Sequence, residues 1–579
     1  MSVFSLRSVA PLLLAAFVLV PIFARASTVP VPPTCAPDCV PAITAAIAAC
    51  GSQPPPCTVA LSAGTYPLQH APFATAFNLN SPTSLSIMGA GDATLLQPAD
   101  IGNLFSVSGG SDVAFQSFSV DLLRVPYTYG LVIENTPQGA LLQFDATGLY
   151  SINLTRWPWL GRAQSALGYD PEKGRPSAPP NVTDIYALDT PISLVYLSTT
   201  GASAVVRVEG TQLPVGRWQI LRHQVYAYNA FNLYGTKGVR VQNVSLLSLG
   251  GMGVYADGVS GGITIDGLSI RKLPGRPLSI CADGVHLSNT RGGRVRITNS
   301  VFEGQGDDGI NVPTIFQQVG WLRGDGLAFQ VQARNQPVPA PPLFAAGAAV
   351  NFFNVSSIAP LGQGQVASIG ANNTVFLAAP APAGVGLFSL VNNAGMYADE
   401  VEVTHSLFRN NRARGALLKS SNVYAAYNTF DGCSIAAAKT EVDACYWYEG
   451  HPVTNWSFIG NIVREVNYWS PDQGDVRIDN AVPTMVNGKP DPNRCIAWTS
   501  TESFVQHGVN ISGNTFVSPW GAPIAVVQST DGVVIAGNTV QRGGAQPLSF
   551  DFLGQGTARA DVTGNTCGSG QCTQSGFNP

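Results

Sequence analysis

The chain has 579 residues, of which 11% are charged and 45% hydrophobic, and its formal net charge at pH 7 is −4. This weakly acidic balance excludes a protein built to hold nucleic acid, because phosphate backbones are bound by clustered Lys and Arg. Gly and Pro are abundant, at 61 and 42 residues, and long helical periodicity is almost absent. The composition therefore predicts a fold made mostly of strands and turns.

The first 26 residues have the layout of a secretory signal peptide. Arg7 precedes an apolar stretch over 12–20, and the small residues Ala24 and Ala26 predict cleavage before Ser27. A membrane anchor is the alternative, but this stretch has about half of the roughly 20 apolar residues that a bilayer requires, and no later one is long enough. We therefore expect a secreted, extracellular protein without a membrane anchor.

Ten cysteines suit an oxidising compartment, and four of them crowd around the short helical segment VPAITAAIAAC. These four are Cys35, Cys39, Cys50 and Cys57. We expect disulfides that staple this helix to its flanks, with the pairing left open. A zinc site is the alternative, but no His-rich stretch or second close Cys pair follows until Cys567 and Cys572.

Seven glycosylation sequons are compatible with secretion, although a chain this rich in Asn holds several by chance. They begin at Asn153, Asn181, Asn243, Asn354, Asn372, Asn455 and Asn510.

Short alternating runs recur along the chain, and neighbouring ones start 22, 24 or 32 residues apart. Their starts are Val239, Ile263, Val295, Val401, Val423, Val509 and Val533. A right-handed parallel β-helix accounts for this pattern, because each coil stacks on the next and buries its alternating apolar residues in a continuous core. A β-sandwich is the alternative, but it would not repeat the Gly-Asn-Thr turn at Asn514, Asn538 and Asn565.

Two stretches lack the coil pattern, and we expect each to be a small inserted β-domain resembling a barrel. The second begins directly after a pair of Asp residues, where it would form a wall or lid beside them. The predicted organisation is a leader at 1–26, a cap and first coils at 27–130, an insertion at 131–222, coils at 223–312, a second insertion at 313–397 and closing coils at 398–579.

The stretch FEGQGDDGIN, residues 302–311, places Asp307 and Asp308 side by side in a chain with few charges. Asp283 lies 24 residues before Asp307, one coil period, so it should approach the pair from a neighbouring coil. When carboxylates lie this close together, their mutual repulsion raises the apparent pKa of at least one of them. That carboxyl group can then hold a proton near neutral pH. Glycines around the pair would let a sugar ring approach the backbone, and Asn311 could bond a hydroxyl.

A proton-holding acid beside an ionised carboxylate is what glycoside hydrolysis requires. In the inverting form, the two carboxyl groups stand roughly 6.5–9.5 Å apart, with room for a water. Two other interpretations of an Asp pair in a Gly-rich turn are the capping of backbone amides and the binding of calcium.

Residues 249–312, from LGGMGVYADG to GQGDDGINV, resemble the catalytic coils of glycoside hydrolase family 110. The members of this family are secreted β-helix enzymes that remove terminal α-1,3-linked galactose with inversion. NNRARGALLKSSNVYAAYNTF, EVDACYWYEGHPVTNWSFIGN and VDLLRVPYTYG resemble further signatures of the family, so the resemblance spans most of the mature chain.

The resemblance implies that Asp307 is the general acid and that Asp283 with Asp308 activates the attacking water. It implies a galactosylated glycan as substrate, no cofactor and no metal, and it leaves the oligomeric state open. It also implies a sugar pocket formed by His286, Arg412, Arg414, Asp443, Trp447 and Glu449. Read without the resemblance, Arg412 and Arg414 fit a solvated strand face and Trp447 fits a core position.

Two positions depart from the family pattern while leaving the three carboxylates intact. Pro313 stands where a histidine follows the Asp pair, and Cys445 replaces a polar residue. Two other functions compete with the galactosidase. A polygalacturonase-like pectin hydrolase also uses clustered aspartates, but no Gly-His-Gly or Arg-Ile-Lys segment follows Asp308. A non-catalytic glycan-binding β-helix protein would tolerate the loss of Asp307.

Overall fold

The computed structural model describes residues 27–180, 182–332, 343–470, 473–500, 504–518, 523–543, 550–568 and 570–579. The predicted leader at 1–26 and the sequon at Asn181 lie outside these ranges. Within them, no helix is both long and apolar enough to cross a membrane.

The described chain folds as a parallel β-helix, as predicted, with strands on three faces. The first face consists of Ser27–Val31, Cys57–Leu61, Leu85–Met88, Ser111–Gln116, Lys237–Gln242, Ser260–Asp266, Arg294–Thr298, Glu400–Thr404, Val423–Ala426, Thr454–Ile459 and Gln506–Ser512. The second face consists of Thr75–Asn80, Asn103–Ser108, Phe231–Tyr234, Val254–Asp257, Val285–Ser288, Ile310–Val312, Ala416–Leu418, Ala438–Asp443 and Val476–Val486.

The third face carries shorter strands, and the last coils join the first two faces. The third face consists of Gly64–Leu68, Thr94–Pro98, Ser119–Val120, Ser245–Leu246, Ser269–Ile270, Val301–Glu303, Leu407–Arg409, Thr429–Asp431, Ile462–Arg464, Thr515–Ser518, Thr539–Arg542, Thr566–Cys567 and Gly570–Gln571. Ala525–Ala536 and Phe552–Thr563 run across both larger faces, Gln574–Ser575 pairs with the start of the second of these strands, and Lys489–Ala497 forms a hairpin with Val476–Val486.

The repeat seen in the sequence is the register of the first face. Starts predicted as equivalent are paired directly, Val239 with Ile263, Ile263 with Val295, Val401 with Val423 and Val509 with Val533. Each coil therefore places its apolar residues above those of the previous coil. The result is a continuous core, in which the rings of Phe302, Phe408 and Phe430 stack at centroid distances of 4.9 and 4.7 Å.

The repeated Gly-Asn-Thr turn marks an internal ladder of buried asparagines. After the first member, each side-chain oxygen accepts a hydrogen bond of 2.8–2.9 Å from the backbone N–H of the asparagine one coil earlier. The ladder runs through Asn428, Asn461, Asn514, Asn538 and Asn565. Because the ladder satisfies backbone groups inside the turn, it explains why this residue recurs at one coil period.

The first interruption of the β-helix forms an antiparallel sheet, the first inserted sheet. The β-helix continues without a break on either side of this sheet, because Ser111–Gln116 pairs directly with Lys237–Gln242. The strands of the first inserted sheet are Tyr127–Thr136, Gly139–Asp145, Arg162–Ala163, Ser165–Asp170, Arg175–Pro176, Asp184–Tyr186, Ile192–Thr200, Ser203–Glu209 and Trp218–Arg222.

The second interruption is a closed barrel with an apolar interior. It leaves the β-helix after Ile310–Val312, and the coil closes across it because Arg294–Thr298 pairs with Glu400–Thr404. The strands of the barrel are Gln317–Leu322, Ala328–Gln332, Ala349–Phe353, Pro360–Ile369, Val375–Leu377 and Leu390–Asn393.

The helix Val40–Gly51 covers the N-terminal end of the β-helix core. Disulfides Cys35–Cys39 and Cys50–Cys57 staple it, so the zinc alternative is excluded. Elsewhere in the described ranges, Cys445 pairs with Cys495 and Cys567 with Cys572, which fits an extracellular protein. Short 3-10 turns lie at Pro33–Cys35, Gly91–Ala93, Gly148–Tyr150, Pro158–Gly161 and Ala371–Asn373.

Candidate active site

A cavity of about 470 Å³ opens where the turns leading into the second face meet the first inserted sheet. Nine of the ten predicted site residues line it, and Asp443 does not. The nine are Asp283, His286, Asp307, Asp308, Asn311, Arg412, Arg414, Trp447 and Glu449. The lining is completed by Tyr186, Leu188, Tyr226, Met252 and Ile435.

Stacking of equivalent turns brings the three aspartates together. The backbone N–H of Asp308 donates to Oδ1 of Asp283 at 3.2 Å, and that of Gly284 donates to the carbonyl of Asp308 at 2.9 Å. One oxygen from each of Asp283, Asp307 and Asp308, the carboxylate cluster, lies within 4.8 Å of the others. All three residues are buried, so their charges interact across little solvent.

The glycines beside the cluster serve close packing of the coils, which differs from the predicted approach of a sugar to the backbone. A Cβ at Gly309 would stand 2.4 Å from the carbonyl oxygen of Gly415 and 2.7 Å from the ring of Phe408. A Cβ at Gly306 would stand 2.3 Å from the carbonyl oxygen of Cys281. Side chains at these positions would push adjacent coils apart.

Asp307 is held by three donors. Its Oδ2 accepts hydrogen bonds from the hydroxyls of Tyr186, at 3.0 Å, and Tyr226, at 2.5 Å, and its Oδ1 accepts one from Nη1 of Arg412 at 3.0 Å. Burial alone would raise the pKa of Asp307, but the charges of Arg412 and Arg414 and the bond from Tyr226 outweigh burial and lower it. Asp307 is therefore ionised at neutral pH.

In Asp308, the factors that raise the pKa outweigh those that lower it. Its Oδ1 accepts the backbone N–H of Arg414 at 2.8 Å and its Oδ2 accepts Nη2 of the same residue at 2.7 Å. Burial, together with the charges of Asp307 and Asp283, outweighs this arginine and raises the pKa of Asp308 to about 7. Of these two neighbours, Asp308 is the one that holds a proton near neutral pH.

Asp283 forms a buried pair with His286. Its Oδ2 lies 2.8 Å from Nδ1 of the imidazole, whose Nε2 lies 3.1 Å from Oγ of Ser288. Burial raises the pKa of Asp283, although the hydrogen bond from His286 opposes it. Burial disfavours the charged imidazole, but the bond to Asp283 and the charges of Asp283 and Glu449 raise the pKa of His286.

Asn311 and Glu449 form a second polar wall of the cavity. Nδ2 of Asn311 donates to Oε2 of Glu449 at 3.2 Å, and Nζ of the fully buried Lys419 donates to the same oxygen at 2.9 Å. Burial would raise the pKa of Glu449, but the charges of Lys419 and His286 lower it. Glu449 is therefore an ionised acceptor, a role in which it can bind sugar hydroxyls.

Asp443 supports the segment that carries Trp447 and Glu449, residues 443–449, which we call the Trp447 loop. Its carboxylate accepts the backbone N–H groups of Cys445, Tyr446 and Trp447 at 2.8, 2.7 and 3.1 Å. The disulfide from Cys445 adds a second anchor to this loop. The structure thus places Asp443 behind the pocket wall, and Trp447 stands at the rim with 53% of its surface exposed.

Sequence reasoning missed the residues that surround Asp307 from the side of the first inserted sheet. Asp184 bonds Arg412 through both carboxylate oxygens, with Oδ1 3.1 Å from Nε. The guanidinium of Arg412 lies 4.6 Å from the ring centroid of Tyr186, over its face. Tyr186 and Tyr226 precede Asp307 by 121 and 81 positions, so no local motif signals either contact.

Arg222, the last residue of the first inserted sheet, holds the backbone of both acidic turns. Its Nη1 donates to the carbonyl oxygens of Cys281, at 2.8 Å, and Gly306, at 2.5 Å. Its Nε and Nη2 both donate to Oγ of Ser165, at 3.0 and 2.7 Å. This fully buried guanidinium fixes the distance between the turn that carries Asp283 and the turn that carries Asp307.

The carboxylate cluster is compact enough to ligate a cation. Arg412 and Arg414 already pair with Asp307 and Asp308, so the charge of the cluster is balanced by protein groups. The predicted absence of a metal stays a prediction.

No protein-family model matches the chain. It is 26% identical over 487 residues to alpha-1,3-galactosidase A of Streptomyces avermitilis, covering 76% of this chain and 71% of the relative. It is 27% identical to alpha-1,3-galactosidase A of Shewanella woodyi, covering 46% and 44%. It is 26% identical to alpha-1,3-galactosidase B of Akkermansia muciniphila, covering 62% and 47%, so it spans less than half of these last two relatives.

Among solved structures, the chain is similar to the A-module of a mannuronan C-5 epimerase of Azotobacter vinelandii, with a TM-score of 0.39 and 12% identity over 92% of this chain and 96% of that one. It is also similar to a family 28 exopolygalacturonase of Yersinia enterocolitica, with a TM-score of 0.37 and 13% identity over 95% and 77%. At these scores the likeness adds nothing to the functional assignment. The relatives in sequence confirm the predicted resemblance, and the chain is similar to proteins named alpha-1,3-galactosidase.

Proposed function

We propose that this protein is an exo-acting glycoside hydrolase that removes terminal α-1,3-linked galactose from glycans with inversion. The observation that carries the proposal is the buried carboxylate cluster, in which Asp308 has a pKa raised to about 7 beside Asp307, whose pKa is lowered. Carboxyl groups pushed to opposite protonation states are the requirement for acid–base cleavage of a glycosidic bond. The names of the relatives in sequence supply the sugar and the linkage.

The polar lining of the cavity supports a bound sugar. Oδ1 of Asn311 and Nε of Arg414 are buried and have no hydrogen-bond partner among the described residues. A buried donor or acceptor without a partner costs about 1–3 kcal/mol, so a ligand that supplies both partners is favoured. A sugar hydroxyl can donate to Oδ1 of Asn311 and accept from Nε of Arg414.

The proposed reaction needs one proton and one water. The acid donates its proton to the glycosidic oxygen as the bond from that oxygen to the anomeric carbon breaks. The base takes a proton from water as the water oxygen bonds the anomeric carbon, so galactose and the shortened glycan leave with no net proton change. Arg412, Arg414 and the tyrosine hydroxyls hold the carboxylates in place during this exchange.

The role of general acid within the cluster can be assigned to either of two residues, on different grounds. The resemblance implies Asp307 as the acid. The electrostatics of the site favour Asp308 as the acid instead, because Asp308 holds the proton while Arg412 keeps Asp307 ionised.

Inversion is the part of the proposal that rests on the resemblance. The carboxylate oxygens lie within 4.8 Å of one another, whereas the carboxyl groups of typical inverting enzymes stand about 6.5–9.5 Å apart.

We also propose that the protein is secreted, which the predicted leader and the four disulfides of the described ranges support. We propose a galactosylated glycan as its partner and no nucleic acid, because the chain is weakly acidic. The pectin hydrolase alternative is disfavoured by the sequence, because no Gly-His-Gly or Arg-Ile-Lys segment follows Asp308.

The experiment is a comparison of leaving groups with Asp307→Asn and Asp308→Asn. Each variant is assayed with an α-1,3-galactosyl disaccharide and with an aryl α-galactoside whose phenol is acidic enough to leave without a proton. We expect the variant of the acid to lose about 10²–10⁴-fold in kcat on the disaccharide and far less on the aryl substrate. The variant of the base should lose activity on both, and unchanged disaccharide activity in both variants would contradict the proposal.

A further inference from the structure

The cavity described above encloses one end of a substrate. An exo-acting enzyme buries the terminal sugar, so the sugar to which it is linked must lie at the mouth of the cavity. Tyr186 of the first inserted sheet and Leu188 of the loop after its strand form one side of the cavity, and Trp447 and Glu449 form the side toward the later coils. The earlier coils of the second face continue from the cavity on the remaining side.

Two tyrosine rings continue from the cavity along these earlier coils. Tyr255 pairs in register with His286, which lines the cavity, and the two ring centroids are 5.8 Å apart. Tyr234 lies one strand further, with its ring edge-on to Tyr255 at 6.0 Å. Successive strands are about 4.8 Å apart. The rings therefore stand one and two strand spacings from the edge of the cavity.

Both rings are open to solvent in part, and a carboxylate stands beside them. Tyr234 is 42% exposed, and Tyr255 and Asp257 are partly exposed. Asp257 pairs in register with Tyr234 on one side and with Ser288 on the other. Its Oδ1 accepts a hydrogen bond from Nδ2 of Asn289 at 2.9 Å, which holds the carboxylate in place.

A neutral pyranose binds to flat aromatic surfaces that have a hydrogen-bond acceptor fixed beside them. The C–H face of the sugar packs on an aromatic ring, and its hydroxyls donate to the carboxylate. We infer that Tyr255, Tyr234 and Asp257 form the subsite for the sugar that carries the terminal galactose. The occupant is a neutral hexose residue of the glycan, and the inference rests on the proposed function.

Exposed aromatic residues occur elsewhere on the β-helix, and one of them provides a matched control. Tyr427 is 55% exposed and lies 5.6 Å from the imidazole of His405, ring centroid to ring centroid. It follows a first-face strand, Val423–Ala426, and does not line the cavity. Continuity with the catalytic cavity is what distinguishes Tyr255 and Tyr234 from this tyrosine–histidine pair.

The test compares two substrates that share galactose and differ in the group attached to its anomeric carbon. An α-1,3-galactosyl disaccharide reaches the proposed subsite, whereas α-galactosyl fluoride has no second sugar. We expect Tyr255→Ala to lower kcat/KM on the disaccharide about 10-fold more than kcat/KM on the fluoride, and Tyr234→Ala to do so about 3-fold. Tyr427→Ala should leave both values unchanged. Equal changes on the two substrates in Tyr255→Ala and Tyr234→Ala overturn the subsite.

A binding measurement separates failure of the subsite from failure of the proposed function. In an Asp307→Asn background, calorimetric titration should show that Tyr255→Ala weakens binding of the disaccharide about 10-fold and leaves the affinity for free galactose unchanged. Equal affinities of Asp307→Asn with and without Tyr255→Ala for the disaccharide overturn the subsite. Wild-type protein that cleaves neither substrate overturns the proposed function, while the calorimetric difference still supports the subsite.

Discussion

The first inserted sheet and the barrel both interrupt the β-helix, but they contribute differently to the site. The barrel begins directly after the Asp pair, and the sequence therefore predicts it as the wall of the pocket. Within the described ranges, no residue of the barrel strands lines the cavity, whereas the first inserted sheet, far earlier in the chain, supplies Tyr186 and Arg222. Proximity in the sequence is thus a poor guide to proximity across the turns of a solenoid.

The base of the barrel acts on the site through the Trp447 loop. The backbone N–H of Phe316 donates to the carbonyl of Tyr448 at 2.7 Å, and Ile315 forms an antiparallel bridge with Glu449. Phe316 also packs edge-on against Phe353 of the barrel at 5.6 Å. The first inserted sheet therefore positions the carboxylates, and the barrel positions one wall.

The largest effect that this comparison predicts is at Arg222. Arg222→Met should lower kcat at least about 100-fold, because the turns carrying Asp283 and Asp307 lose the guanidinium that holds their carbonyl oxygens. Ser165→Ala, which removes only the partner of Arg222, should have a smaller effect in the same direction. The measurement is kcat against pH, with thermal unfolding to verify folding.

Arg207→Met is the matched control, because Arg207 lies in the same inserted sheet but pairs with Glu209 at a partly exposed position. It should change kcat less than about twofold. Equal losses in Arg207→Met and Arg222→Met would show that the sheet acts only through its stability.

The next largest effect is on the free energy of unfolding, and it comes from Asp308 in the carboxylate cluster. The pKa of Asp308 is raised to about 7 in the folded protein from its ordinary 3.8, so the folded state binds more protons than the unfolded state between these values. The contribution of Asp308 to the free energy of unfolding therefore falls as pH rises from about 4 to 7. The stability of Asp308→Asn relative to wild type should therefore be greater at pH 8 than at pH 5, by about 1–3 kcal/mol.

Denaturant unfolding of both proteins at the two pH values measures this difference. Asp561→Asn, a substitution of an exposed aspartate on a distant coil, is the control and should match wild type at both. A stability difference between Asp308→Asn and wild type that does not grow from pH 5 to pH 8 would contradict the raised pKa.

A hydroxyl from the loop that follows the first inserted sheet tunes Asp307. Tyr226→Phe removes the donor 2.5 Å from Oδ2, so the pKa of Asp307 should rise and kcat should fall about 10-fold. If Asp307 is the acid, the alkaline limb of the pH–rate profile moves to higher pH. If Asp307 must be ionised, the acidic limb moves to higher pH instead, and a profile with neither limb moved would contradict the role of this bond.

The smallest effect belongs to the barrel. Phe316→Ala should raise KM about threefold with little change in kcat, because the Trp447 loop loses part of its support while the carboxylates keep theirs. Trp321→Ala, at a 42% exposed position on a barrel strand, is the control and should leave KM unchanged. If kcat of Phe316→Ala fell as far as kcat of Arg222→Met, the result would contradict the proposed difference between the two insertions.

The coil period predicts the meeting of Asp283 with Asp307 and Asp308 because the register of a solenoid is written in the sequence itself. Arg414 reaches Asp308 from the next coil, but 106 residues separate the two because the barrel lies between them, so only the resemblance points to Arg414. Nothing comparable encodes Tyr186, Tyr226 or Arg222, whose contacts cross from the inserted sheet and its exit to the coils. Asp443 is predicted in the sugar pocket for a different reason. The sequence does not distinguish a carboxylate that accepts three backbone N–H groups, as Asp443 does, from one that binds a sugar.

The most direct test of the central claim is time-resolved proton NMR of the purified protein with an α-1,3-galactosyl disaccharide. We predict that the wild-type protein releases β-galactose first, which mutarotates later, and that folded Asp307→Asn releases none on the same timescale. Release of α-galactose first would contradict inversion. Wild-type protein that releases no galactose, or Asp307→Asn that cleaves at the wild-type rate, would contradict catalysis by the carboxylate cluster.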